Sequence, residues 1–473
     1  MEREQIPIIG EEGTDTHSGR PVWWDGSGWS YNKPETFSDS EHDRSHKPSE
    51  RRQLPLMSGV RPPRIPLSFA QQRLWFLGQL TEDTAEYHMP QSLRLRGKLD
   101  PFALEYCINQ IIQRHEILRT TFQQIEGDPF QVIASETTIS IPVTDISREN
   151  QEKQNALVRA AVALESTAPF DLAKGPLIRM RLFQVSEDEH ILLRTLHHIV
   201  SDGWSEAVFN RELMELYEAF AEGRENPLPP LKVQYADFAI WQRQWLAMGL
   251  LDEGLKYWKG RLEDFPEQLN LPADHARQSV QTHEAGIVRF TLNSADTAAL
   301  RMVAEEHRST LYMVLLAAFG VLLARYSGQD DLIVGSPIAN RQELQLESMI
   351  GFFVNSLPMR MQVDSDLSFS AFLRNVRQST LDAYQYQDVP FERLVEELAP
   401  QRILNRNPIF QVWFALQNAP WSSHELKSLD IEPIPLDERL HLRFDLEIHA
   451  KESGDGVSFS VLYDKSLFDH WRI

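Results

Sequence analysis

Two adjacent imidazoles, a carboxylate and a glycine stand together in His197-His198-Ile199-Val200-Ser201-Asp202-Gly203. Histidine is the side chain whose ordinary pKa lets it exchange protons near neutral pH. It acts as a base only when a second group fixes its tautomer and orientation. The run closes an apolar strand pattern, Ile191-Leu192-Leu193-Arg194-Thr195-Leu196, and precedes a helical one. Such junctions are where an α/β scaffold displays reactive groups, so an active site is the leading reading. Within it, His197 reads as a packed histidine bonded to backbone. Asp202 reads as structural, holding the loop through an arginine. Gly203 supplies a positive φ or lets a substrate approach closely.

The elements that must position these residues are legible on either side. Ser68-Phe69-Ala70-Gln71 is a capping box opening the helix that carries Arg73, Leu74 and Trp75. Gln91 to Arg96 alternates as a strand, and Asp100-Pro101 supplies an N-cap and a first-turn proline. Leu104, Ile108, Ile111 and Ile112 then form one apolar stripe. Ile178, Met180 and Leu182 alternate in a strand that turns at Ser186 to Glu189 into the one leading to His197. After the motif, Val208, Phe209, Leu213, Leu216, Tyr217 and Phe220 mark an amphipathic helix.

Asn226-Pro227-Leu228-Pro229-Pro230 breaks the pattern and connects two halves. The second half has the same character, with a strand (Val288, Phe290, Leu292), a helix from Ser294 to His307, a buried helix and the strand Leu332-Ile333-Val334. The expected architecture is two α/β lobes of about 200 residues each, residues 64–228 and 229–473. Residues 1–63 are rich in Gly, Ser, Pro and charge, with a polar block from Ser38 to Gln53. They are expected to be a disordered leader or a docking segment built on Val22-Trp23-Trp24, Trp29 and Tyr31.

Composition narrows the function. Among 473 residues, 42% are hydrophobic and 24% charged, ordinary for a soluble globular chain. The net charge of −21 argues against nucleic acid and anionic membrane surfaces as partners. The uncharged stretch Leu311 to Ala324 is too short to span a bilayer and reads as a buried helix ended by Gly328. The single cysteine, Cys107, rules out an intramolecular disulfide, fits a reducing cytoplasm, and falls on an apolar helix face. No HExxH or CxxC pattern supports a metal site.

Seven strings in register give a resemblance. They are Ser68 to Trp75, Arg114 to Phe122, His197 to Ser205, Tyr235 to Gln242, Ile350 to Leu357, Gln387 to Glu392 and Arg406 to Gln411. Over roughly residues 64–470 the chain resembles a condensation domain of a nonribosomal peptide synthetase, in the chloramphenicol-acetyltransferase-like fold. The resemblance implies two lobes in a V with a tunnel between them. An upstream carrier protein brings a donor acyl or peptidyl thioester on its phosphopantetheine arm, and a downstream carrier brings the acceptor aminoacyl thioester. The domain itself binds no cofactor, and an adenylation domain of the same assembly line is a further partner.

By the same resemblance His198 is the active-site histidine, deprotonating or orienting the attacking amine. Gly203 leaves room for the thioester and offers its N–H to the oxyanion, Arg114 or Arg119 pairs with Asp202, and Asn355 lies near the tunnel. Trp75, Trp241 and Phe391 read as packing. The Asp202-Gly203-Trp204-Ser205 run favours condensation over epimerisation, the histidine pair disfavours heterocyclisation, and the opening helix resembles domains taking an L-configured donor. Departures are Tyr386 where the family often has histidine, Asn405 where it often has serine, and an end at Ile473 where a final helix usually follows. The competing expectations are a non-catalytic module that recruits carriers or tailoring enzymes, and a stand-alone acyltransferase.

Overall fold

The strand that delivers the histidines is buried along almost its whole length, and the first lobe is arranged around it. The computed structural model describes residues 12–14, 21–24, 29–30, 54–80, 85–278, 283–398, 406–417, 429–434, 441–454 and 456–473. In it, Glu189–His197 is the middle strand of a five-stranded sheet. His88–Gly97 and Ile178–Gln184 flank it antiparallel, Leu429–Ile434 and Val143–Asp145 form the edges, and the last pairing is parallel. Leu192 and Leu196 pack into the core shared with the helices Pro101–Arg114 and Gly203–Ala221. Ile191 and Leu193 pack on the other face with Val158 and Val162 of the helix Gln151–Thr167. Two covered faces explain why this strand reads as a continuous apolar run instead of an alternation.

Local signals set the helix ends. The Asp100 carboxylate accepts from the N–H groups of Phe102 and Ala103. Ser68 Oγ accepts from Gln71 N while Gln71 Oε1 accepts from Ser68 N, both at 3.1 Å. Leu104, Ile108, Ile111 and Ile112 are at most 3% exposed, each contributing about 1.5–3 kcal/mol by leaving water.

The second lobe is a six-stranded mixed sheet in the order Ala285–Leu292, Gly456–Asp464, Leu446–Ser453, Val412–Gln417, Asp331–Ile338, Asn355–Gln362. The helix Leu311–Ser327 is part of its core, and Gly328 closes that helix in the left-handed region at φ 69°. Among the described residues no single helix is long and apolar enough to cross a membrane.

The boundaries differ from the reading of the sequence in two places. The packed unit begins at Leu54 rather than at residue 64. Leu56 is buried, Trp241 Nε1 donates to Leu54 O at 2.7 Å, and Arg61 pairs with Glu116 and Asp237. This proline-rich stretch is extended and has no periodicity to betray its burial. The division at 228/229 is also crossed. Leu429–Ile434 adds to the first lobe's sheet beside His88–Gly97, and Leu346, Met349, Ile350 and Phe353 complete the first lobe's core. Residues 12–14, 21–24 and 29–30 belong to a separate unit and form a small antiparallel sheet, with Trp24 opposite Trp29. Tyr31, Ser38 to Gln53 and Asn405 lie outside the described residues.

Candidate active site

The chain leaves its central strand at His197, makes one 3-10 turn over His198–Val200, and enters the helix Gly203–Ala221. That turn gives the two imidazoles opposite roles. His197 Nδ1 accepts from Ile199 N–H at 3.1 Å, so its proton sits on Nε2. The ring is 2% exposed and packs edge-on against His88 and Phe170. His198 Nδ1 lies 2.8 Å from Ser201 O, which can only accept, so in the neutral ring Nδ1 carries the proton and Nε2 the lone pair. Among the described residues Nε2 has no hydrogen-bond partner. The half-buried His198 ring stands 4.7 Å from the ring of Phe352, which the second lobe supplies.

Both histidines are held neutral. Burial pushes His198 down to about 4, Arg443 of the second lobe pushes the same way, and Asp202 opposes them. Burial, with His88, His198 and Arg179, pushes His197 down to about 3. Because an unfolded histidine titrates near 6.5, the unfolded chain takes up these protons first on acidification. The stabilisation is complete above about pH 6.5 and is lost as pH falls from there toward about 4 for His198 and about 3 for His197. The urea midpoint should therefore drop across that window, and His197→Gln should flatten the drop; an unchanged slope in the variant would remove His197 from this account.

Asp202 is fully buried and ties the lobes together. Its Oδ1 accepts from Ser205 N (2.8 Å), Ser205 Oγ (2.7 Å) and Arg341 Nη2 (3.0 Å), and its Oδ2 accepts from Phe353 N (3.0 Å). Arg341 also donates to Met349 O at 2.6 Å and lies 4.1 Å over the Phe353 ring. The arginine expectation is thus right in kind and wrong in residue. Arg114 pairs with Glu212 at 2.9 Å, and the same carboxylate holds His115 Nε2 at 2.8 Å. Arg119 is 3.9 Å from Glu116 and donates to Ala134 O. Glu212, 2% exposed on the helix's buried face, claims Arg114 before Asp202 can.

The scattered strings converge on this loop. Gln71 Nε2 donates to Ile199 O at 3.2 Å. The Tyr235 hydroxyl meets Ser68 Oγ at 2.9 Å and donates to Phe352 O at 2.5 Å. Gly351 N donates to Ser205 Oγ at 3.0 Å, and a Cβ there would come within 2.0 Å of Tyr235. Only glycine lets that segment pass.

Gly203 corrects one expectation. It is not among the residues with positive φ; it is exposed, is the first residue of its helix, and a Cβ there would meet nothing within 4 Å. What it offers is open space beside the turn and a first-turn N–H. Gly203→Ala should leave the melting temperature unchanged and lower turnover, which thermal melts beside a rate assay would check.

Asn355 acts as a clamp. Its amide donates to Gln387 O and Val389 O at 2.8 and 2.7 Å, while its oxygen accepts from Phe391 N at 3.0 Å. Trp75 and Phe391 are core residues, as read. Arg443 was not foreseen; its guanidinium lies over Trp413 and Phe444 and 3.7 Å from Glu447. Burial pushes the Glu447 carboxyl up, but Arg443 and His449 outweigh it and hold the group at about 2. Among the described residues no cluster could hold a metal ion.

A family model described as "Condensation domain" matches residues 63–473. The chain is 42% identical over 421 residues to one of the linear gramicidin synthase proteins of Brevibacillus parabrevis, covering 89% of this chain and 5% of that protein. It is 40% identical over 430 residues to malpibaldin synthetase of Mortierella alpina, covering 91% of this chain and 8% of that protein. The chain thus spans less than a tenth of the length of either relative. Its fold matches the X-domain from teicoplanin biosynthesis with a TM-score of 0.79 and 31% identity, covering 88% of this chain and 93% of that one. The complex of that X-domain with OxyB matches at a TM-score of 0.78, with 31% identity and coverage of 88% and 91%.

Proposed function

The chain belongs to the condensation-domain family, and on that premise we propose that it forms amide bonds between two carrier-borne thioesters in nonribosomal peptide synthesis. The acceptor amine attacks the donor thioester carbonyl, so a C–N bond forms and the C–S bond breaks. His198 Nε2 takes the proton from the attacking amine, or holds that N–H in line, and the proton then goes to the departing thiolate. The observation that carries this reading is a neutral, oriented imidazole whose Nε2 has no partner among the described residues, with an open position at Gly203 where the same turn enters its helix. The Gly203 N–H, in the first turn of its helix, is suited to the oxyanion of the tetrahedral intermediate. The partners are an upstream donor carrier, a downstream acceptor carrier and an adenylation domain of the same line, with phosphopantetheine arms as the only cofactor. A reducing cytoplasm suits the lone thiol of Cys107, which burial pushes up to about 12.

A second reading, a non-catalytic module that recruits a partner enzyme, is favoured by the likeness to an X-domain solved in complex with OxyB. Intact-protein mass spectrometry separates the two, using the purified chain, a donor-loaded carrier and an acceptor-loaded carrier. Transfer of the donor onto the acceptor carrier supports condensation. A folded chain that binds carriers and transfers nothing supports recruitment.

A further inference from the structure

Glu206 lies one turn into the helix that Gly203 opens, and Gly203, Glu206 and Asn210 share one stripe by their i, i+3, i+7 spacing. Glu206 is half-buried, and among the described residues its carboxylate makes no hydrogen bond. Next to this stripe is a buried cation. Arg194 is 1% exposed, donates to Asn210 Oδ1 at 2.9 Å and to Gln91 Oε1 at 2.5 Å, and lies 4.3 Å over the Phe209 ring. Neither of those acceptors is charged. Among the described residues, Arg194 Nε and the 8%-exposed Asn210 Nδ2 are buried donors with no acceptor.

A buried charge without a contacting counter-ion is unfavourable, and the carboxylate acting on Arg194 is Glu206. Burial pushes the Glu206 carboxyl up, Arg194 opposes this, and the charge of Asp202 adds to it. A carboxylate so placed is relieved by a group that brings positive charge or an N–H. It stands on the same stripe as the exposed Gly203, the position that the condensation reading assigns to the approaching thioester.

We propose that Glu206 is a specificity-determining residue of this site, favouring thioester substrates whose side chain ends in a cation or an N–H donor over apolar ones. The inference rests on the condensation reading, and the shared chemistry could belong to the donor or to the acceptor. The test is calorimetric binding of non-hydrolysable aminopantetheine amides to the full chain. N-acetyl-lysyl and N-acetyl-norleucyl amides stand for the donor, and lysyl and norleucyl amides for the acceptor.

In one arm the wild-type chain should prefer the lysyl probe by about tenfold, the strength of a charge-assisted hydrogen bond. Glu206→Gln should weaken that preference and Glu206→Leu abolish or invert it; the near-isosteric Gln variant keeps the test open if the Leu variant fails to fold. The arm that responds identifies the substrate. A wild-type chain without preference in either arm, or variants that keep it, overturns the proposal. Turnover with loaded carriers is measured separately. Preference without turnover leaves the role of Glu206 standing and defeats condensation, whereas turnover without preference does the reverse.

Discussion

Replacing His198 with alanine should slow amide formation by about 10²–10⁴-fold, the usual contribution of a positioned acid–base group, while the chain stays folded. The ring is half-buried, and its loss removes one bond to Ser201 O from a turn that Asp202, Gln71 and Ile199 hold by other contacts. One such bond contributes about 1 kcal/mol. Residual activity is expected, because aligning two tethered reactants can itself lower a barrier by about 7–11 kcal/mol. His197→Ala should behave in the opposite way. That ring is buried against His88 and Phe170, so its removal should lower the melting temperature more than it lowers the rate per folded molecule. Single-turnover mass spectrometry beside thermal melts distinguishes the two patterns. A His198→Ala protein with the full wild-type rate would remove the ring from the chemistry.

What could be read from the sequence was what depends on neighbours a few residues away. The capping box at Ser68, the proline-led helix after Asp100 and the glycine stop at Gly328 are i, i+3 or i, i+4 devices, and all stand in the structure as read. The alternation of Ile178, Met180 and Leu182 likewise gives a strand. The partner of Asp202 was not legible, because Arg341 is 139 residues away, on a segment with no periodic pattern. A hint did exist in Glu212. A glutamate between Phe209 and Leu213, on the apolar face of a helix, calls for a buried cation, and Arg114 answers it. The strand Leu429–Ile434 escaped notice for a different reason. Its charges and Pro433 suit an edge strand, and nothing local names the sheet it joins. Arg443 reaches His198 only through the meeting of the lobes.

Asp202→Asn should cost the fold about 3–5 kcal/mol, the range for breaking a buried ion pair from one side. Asparagine and aspartate are near-equal N-caps, so the bond from Ser205 N can survive and the loss reads the cross-lobe contacts. An asparagine oxygen facing Ser205 and Arg341 turns its NH₂ toward Phe353 N, where a donor would meet a donor. Arg341 would then be a buried cation with carbonyls and a hydroxyl around it and, among the described residues, no carboxylate in contact. Arg341→Met should also destabilise, since it strips Leu346 O and Met349 O of their donor and leaves the Asp202 charge to Ser205 and Phe353 alone. Joined in one chain, Asp202→Asn and Arg341→Met should cost less than the sum of the two, because the double variant buries no lone charge. Urea unfolding of the four proteins measures that coupling. Additive losses would mean the two side chains act independently, and a soluble, fully stable but inactive Asp202→Asn protein would move Asp202 from the scaffold into the chemistry.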